Sequence, residues 1–181
     1  NHEEFILSST SSRLLTGTST VYKKLEDNLA KIFNKEACLI FNTGYQCNLG
    51  VVSSLVNRDD VIFSDKLNHA SIIDGMRLSS TQFFRYKHFD YNNLEELLIK
   101  HRNEYKKAII ISESVFSMDG DIADIKKLIE LKKKYNCLLM IDEAHAFGIY
   151  GKNLAGIADR DNLLNDVDII TATLGKSFAS M

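Results

Sequence analysis

Two residues near the end of the chain stand where short apolar runs stop. Asp142 closes the run Cys137-Leu-Leu-Met-Ile141, and Lys176 follows Asp168-Ile-Ile-Thr-Ala-Thr173 across Leu174 and Gly175. Short apolar runs that end in a polar residue read as buried parallel strands, whose carboxyl ends are where open α/β sheets bind ligands. Asp142 and Lys176 would then share one crevice. A carboxylate beside an aromatic nitrogen favours its protonated form, and a desolvated lysine amine condenses with an aldehyde to a Schiff base. Those are the two requirements of pyridoxal phosphate: a protonated ring as electron sink and a lysine for its aldehyde. Either residue alone has a commoner reading, the aspartate as a cap or turn residue and the lysine as a solvated helix end.

The elements that must position this pair alternate along the chain. Residues 61–63, 81–86 and 108–113 read as strands, the last (Ala108-Ile-Ile-Ile-Ser-Glu113) rich in β-branched residues, as buried parallel strands are. Residues 37–41 read as a further buried strand. Helices are expected over 70–78, 93–105 and 124–135, and from Thr20, where Val21, Leu25, Leu29, Ile32 and Phe33 share one face. Gly44 opens another helix, and the free N–H groups of a helix start favour an anion. The alternation predicts an α/β fold, a mainly parallel sheet flanked by helices. Residues 8–20 read as a polar loop, in which Arg13 is either a contact to substrate or a neighbouring subunit, or an exposed arginine. His88 and His101 fall in solvated stretches and receive no role.

The composition sets bounds. With 181 residues, 45% of them apolar, the chain can build one substantial core and reads as one domain, residues 1–181. A net charge of -2 with acids and bases interspersed gives no footprint for nucleic acid. No apolar stretch approaches the roughly 20 residues of a membrane helix, so no membrane partner is expected. Three cysteines, Cys38, Cys47 and Cys137, have neither even number nor paired spacing, which favours packing over disulfide or zinc. The expected setting is the cytoplasm, with no metal.

Four motifs then carry a family resemblance. Asn68-His-Ala-Ser71, Glu113-Ser-Val-Phe-Ser-Met-Asp-Gly-Asp121, Asp142-Glu-Ala-His145 and Thr173-Leu-Gly-Lys176 resemble, in order and spacing, the α-oxoamine synthases. These are pyridoxal-phosphate enzymes of the aspartate aminotransferase fold (fold type I), and the match covers nearly the whole chain. The resemblance implies that Lys176 holds the cofactor aldehyde and moves the substrate's Cα proton, that Asp142 faces the ring nitrogen, and that His69 stacks on the ring and contacts substrate. It assigns the cofactor phosphate to Gly44 and Tyr45, with Thr173 as a further hydroxyl, and places Ser117 and His145 at cofactor hydrogen bonds. Glu113 is expected to order the polar network.

The implied reaction is a decarboxylative condensation of an amino acid with an acyl-CoA or an acyl-carrier-protein thioester, carried out by a homodimer. The amino acid is expected to be L-alanine, with glycine and acetyl-CoA as the alternative pair of substrates. A non-catalytic dimer partner of the same fold would typically lack the lysine, and Lys176 is present. Tyr22 stands where the family often has histidine, and Ser8 and Thr10 where many members have glycine. The chain starts without Met and stops five residues after Lys176, so the expectation is a partial large domain, its C-terminal domain absent, inactive by itself.

Overall fold

A computed structural model describes residues 11–180, which leaves the expected departures at Ser8 and Thr10 outside the described residues. The chain divides into two compact units, the first ending at Ile40 and the second starting at Phe41.

The first unit contains α1 (Arg13–Thr16) and α2 (Thr20–Ile32), the latter capped by the Ser19 hydroxyl, which accepts the Tyr22 N–H. The expected apolar face of α2 forms, yet only Ala30 and the adjoining Phe33 are buried, while Val21 is 66% exposed. Arg13 forks onto Glu26, at 2.6 and 3.1 Å, and its guanidinium stands over the Tyr22 ring. That bond, opposed by desolvation and helped by the charge, holds the Glu26 carboxyl below its ordinary range. Arg13 is thus committed within its own unit.

The strand expected over residues 37–41 does not form. Leu39 is 62% exposed, and the Ile40 N–H goes to the Glu26 carboxylate at 3.0 Å. An apolar run supplies side chains for a strand but not the neighbouring ladder that its backbone groups need.

The second unit runs α3 (Gly44–Leu55), β1 (Val61–Asp65), α4 (Ala70–Leu78), β2 (Gln82–Tyr86), α5 (Tyr91–His101), β3 (Ala108–Glu113), α6 (Ile125–Lys134), β4 (Leu138–Asp142), α7 (Ile157–Arg160) and β5 (Ile169–Thr171). The strands make one parallel sheet in the order β2-β1-β3-β4-β5. The direction of winding reverses between β1 and β3, the kind of switch point at which open α/β sheets take ligands. β1 and β3 are buried along their whole length, as helices on both faces require.

Side chains start the helices: Thr43, Asp90 and Asp124 each accept the N–H three residues on. The Asp90 cap begins α5 at Tyr91, two residues before the expected start, and a 3₁₀ turn at Arg102–Glu104 follows His101. Three lysines close α6 where the helix dipole favours cations. α3 packs on α4 across Gly75, where an added Cβ would lie 2.9 Å from the Val52 Cβ.

Two histidines read as solvated are not. His101 stacks on Phe84 with ring centroids 4.0 Å apart. His88 bridges Asp65 at the end of β1 (2.9 Å) and Asp121 in the turn after β3 (2.8 Å), and packs on Phe89 and Phe116. Phe84, Asp65, Asp121 and Phe116 all lie well away in sequence from the histidine they meet, so hydropathy around each histidine carried no sign of these contacts. All three cysteines are free thiols, Cys137 buried and the others half-buried.

Candidate active site

Successive strands deliver polar side chains to one edge of the sheet. Glu113 ends β3 and pairs in register with Asp142, which ends β4 and pairs with Thr171, which ends β5. Adjacent parallel strands lie about 4.8 Å apart, so these three residues form a row. Beyond β1 the chain turns through Asn68, whose amide donates to the Ile111 carbonyl at 2.9 Å and whose carbonyl accepts the Glu113 N–H at 3.1 Å. This fixes His69 beside the row, its own N–H donated to Glu113 Oε1 at 2.6 Å.

A cleft of about 160 Å³ results, lined by Gly44, Tyr45, Asn48, His69, Ser71, Glu113, Asp142, Ala144, His145, Thr171, Ala172, Thr173 and Lys176. Of the residues singled out in the sequence, Gly44, Tyr45, His69, Glu113, Asp142, His145, Thr173 and Lys176 meet here. Ser117 is not among the lining residues; it lies exposed in the turn after Phe116.

Asp142 is 5% exposed, and each of its oxygens accepts a hydrogen bond, Oδ1 from the Ala144 N–H at 2.9 Å and Oδ2 from the Asn48 side-chain amide at 2.7 Å. Asn48 went unassigned in the sequence. The signal was there: a polar amide one helical turn beyond Gly44, on the face of α3 that also carries Val52. Burial, with the charge of Asp142 next, pushes the Glu113 carboxyl up to about 7. Burial, with Lys176 next, lowers the His145 imidazole. Tyr45 meets His69 edge-on, 6.1 Å between centroids, and its hydroxyl bonds Asp74 on α4.

Glu143 points away from this chemistry. Fully buried, it accepts the Ile157 and Ala158 N–H groups at 3.0 and 2.9 Å and the Ser114 hydroxyl, so it anchors the start of α7 beneath the site. Gly156 makes the approach possible, with φ +106° and no room for a Cβ, which would sit 2.2 Å from Glu143 Oε2.

The donor set fits pyridoxal phosphate. The Thr43 hydroxyl takes the Gln46 N–H and the Cys47 N–H starts the helical ladder, leaving the Gly44 and Tyr45 amides as the open donors of a helix start. A Cβ on Gly44 would come 3.5 Å from the Thr173 side chain, so this anion-favouring end faces a hydroxyl. Asn48 Oδ1 and Thr171 Oγ1 are buried without hydrogen-bond partners, polar capacity that a polar ligand can use. Asp142 suits a ring N–H and Lys176 an aldehyde.

A parallel sheet flanked by helices, with a carboxylate and a lysine at the carboxyl ends of adjacent strands, defines the large domain of a fold-type I enzyme. The chain belongs to the aminotransferase class I and II family, whose model matches residues 2–181. It is 48% identical over 176 residues to an 8-amino-7-oxononanoate synthase of Chlorobaculum parvum, an alignment covering 97% of this chain and 45% of that protein. Among solved structures, Sphingomonas wittichii serine palmitoyltransferase superposes with a TM-score of 0.91 at 34% identity, over 96% of this chain and 43% of that one. An 8-amino-7-oxononanoate synthase from Francisella tularensis does so at 0.76 and 34%, over 91% and 47%. The resemblance to α-oxoamine synthases read from the motifs is borne out by these matches. The chain spans about half the length of the curated relatives it matches.

Proposed function

We propose that the protein uses pyridoxal phosphate to join L-alanine to a pimeloyl thioester, on CoA or a carrier protein, with loss of carbon dioxide and thiol, giving 8-amino-7-oxononanoate for biotin biosynthesis. The carrying observation is the row Glu113, Asp142, Thr171 with His69 on one side and Lys176 on the other, all but one of them residues of the four motifs. The choice of substrates rests on the name shared by the curated relatives. The product's amino and methyl-bearing carbons are those of alanine without its carboxylate, and its remaining chain is that of pimelate.

When bound, the cofactor supplies a protonated aromatic ring that accepts the electron pair of the substrate's Cα carbanion. In this reading Asp142, its oxygens already held by Ala144 and Asn48, takes the ring N–H. The amides of Gly44 and Tyr45, with the Thr173 hydroxyl, hold the phosphate. His69 would cover one face of the ring and His145 would donate to a cofactor oxygen, while Ser117, exposed and outside the lining of the cleft, receives no role in this reading. Lys176 would hold the cofactor aldehyde and, with its amine free, take the substrate's Cα proton on Nζ. The Cα would bond to the thioester carbonyl carbon as the C–S bond breaks, the thiolate taking a proton from water; loss of the substrate carboxylate as carbon dioxide would return an electron pair to Cα, which takes back the proton held on Lys176 Nζ. A homodimer in the cytoplasm completes the proposal.

A second reading has one observation in its favour: the higher superposition score belongs to a serine palmitoyltransferase. Visible absorption of the full-length protein loaded with cofactor, titrated with L-alanine, glycine and L-serine in turn, separates these. Saturation by alanine at the lowest concentration supports the proposal. A preference for serine moves the reading to a long-chain acyl substrate, and one for glycine to a glycine-using ligase of the same family. Absence of any cofactor absorption band overturns the cofactor assignment.

A further inference from the structure

Four side chains form an unbroken hydrogen-bonded chain across the floor of the cleft. Asn48 Nδ2 donates to Asp142 Oδ2 at 2.7 Å and to Ser71 Oγ at 3.0 Å, and Ser71 Oγ lies 2.8 Å from His69 Nδ1. The members come from α3, α4, its capping residue and the end of β4, so none is brought to the next by local sequence alone except Ser71 to His69.

The donors on either side assign a direction to each link. An amide nitrogen carries two protons and no acceptor, so both Asn48 N–H bonds are spent, one on each neighbour. Ser71 Oγ, accepting from Asn48, is left with its own proton to give, and His69 Nδ1 is within reach to take it. The Ser71 backbone N–H also points at Nδ1, at 3.2 Å, and a backbone N–H only donates. Two donors converge on Nδ1, which must therefore be the unprotonated nitrogen of the ring.

The orphaned atom tells the same story. Asn48 Oδ1 is buried without a partner, although turning the amide over would let the Ser71 hydroxyl satisfy it. The turned amide would set its carbonyl against the Asp142 carboxylate, and that repulsion decides the orientation.

We propose that Asn48 and Ser71 are positioning residues that carry the polarity of Asp142 to His69 and hold His69 as the Nε2–H tautomer, so that it presents a donor to an acceptor group of the bound molecule, such as a carboxylate or carbonyl oxygen. This deepens the reading given above and rests on it only for what Nε2–H meets. The two ends of the site, the carboxylate for the ring nitrogen and the imidazole over the ring, then act as one ordered unit, linked through protein rather than through ligand.

The test is nitrogen-15 NMR of the full-length protein labelled at histidine and asparagine, with His69 assigned by the signal lost in His69→Gln. It is run before cofactor or substrate is added, so its outcome is independent of the alanine titration. The expected result is a pyridine-type Nδ1 and a pyrrole-type Nε2 at neutral pH, with both Asn48 side-chain protons protected from exchange. A pyrrole-type Nδ1, an averaged pair of nitrogens, or a freely exchanging Asn48 proton would overturn the proposal. Asn48→Asp reverses the donor: the new carboxylate accepts from Ser71, whose oxygen then takes a proton from the ring. With the Ser71 backbone N–H still aimed at Nδ1, the variant should move Nδ1 only part of the way, to an averaged pair of nitrogens, and an unchanged tautomer in a folded variant removes Asn48 from the relay. The wild-type measurements decide the matter if the variant does not fold.

Discussion

Glu113 holds an ionisable group where charge is unwelcome. Its carboxyl is raised from 4.5 to about 7, by burial first and the Asp142 charge second. A folded value above the unfolded one means that the native chain binds this proton more tightly. The stabilisation is full below about pH 4.5 and is lost as pH climbs through about 7. Glu113→Gln keeps an acceptor for the His69 N–H without the charge. Its stability relative to wild type, from urea midpoints, should therefore grow between those pH values and level off at about 3 kcal/mol; a difference flat across pH would mean that Glu113 ionises like a surface acid. Asp142 and Lys176 were legible in the sequence because each follows an apolar run, a pattern that local reading detects. The place of Asn48, one turn beyond Gly44, was visible too, but not its role, since its partner lies 94 residues away and only the fold makes them neighbours.

Connections between elements hold two further expectations. Gly156 starts α7 at φ +106° with Glu143 pressed against it. Gly156→Ala combines an unfavourable backbone with displacement of a buried carboxylate, and should lower stability by about 2 kcal/mol or more, read as an earlier urea midpoint at unchanged slope. His88 ties the end of β1 to the turn after β3. Burial lowers its pKa, but the bonds to Asp121 and Asp65 outweigh that, and the net shift is upward from 6.5. Its stabilising contribution is thus present below pH 6.5 and is lost as pH rises through the elevated value. The destabilisation caused by His88→Gln should be largest in that acidic range and shrink towards alkaline pH; a cost that increases with pH would contradict the bridge. Helices and buried strands were readable here because caps and apolar periods are written in adjacent residues. The strand expected at 37–41 failed for the converse reason, as pairing is decided by whatever lies alongside.

Across the whole molecule, the sheet should open from its sides. β1 and β3 are buried throughout and paired on both flanks, whereas β2 and β5 have one neighbour each in the described sheet and carry half-exposed positions. Native-state hydrogen exchange should find the slowest amides in β1 and β3, slower than those of β2 and β5; faster exchange at the centre would be inconsistent with this strand order. The parallel architecture could be foreseen from the alternation of strands and helices, while the break into two units at residue 40 could not, because neither composition nor charge changes there. The strand order also gives the site a history. A ribosome makes Gly44, His69, Glu113 and Asp142 before it makes Lys176, and β5 follows the other four described strands. A nascent chain halted short of that point holds Glu113 and Asp142 as adjacent buried acids without the Lys176 charge that offsets them, so cofactor capture waits until Lys176 has emerged.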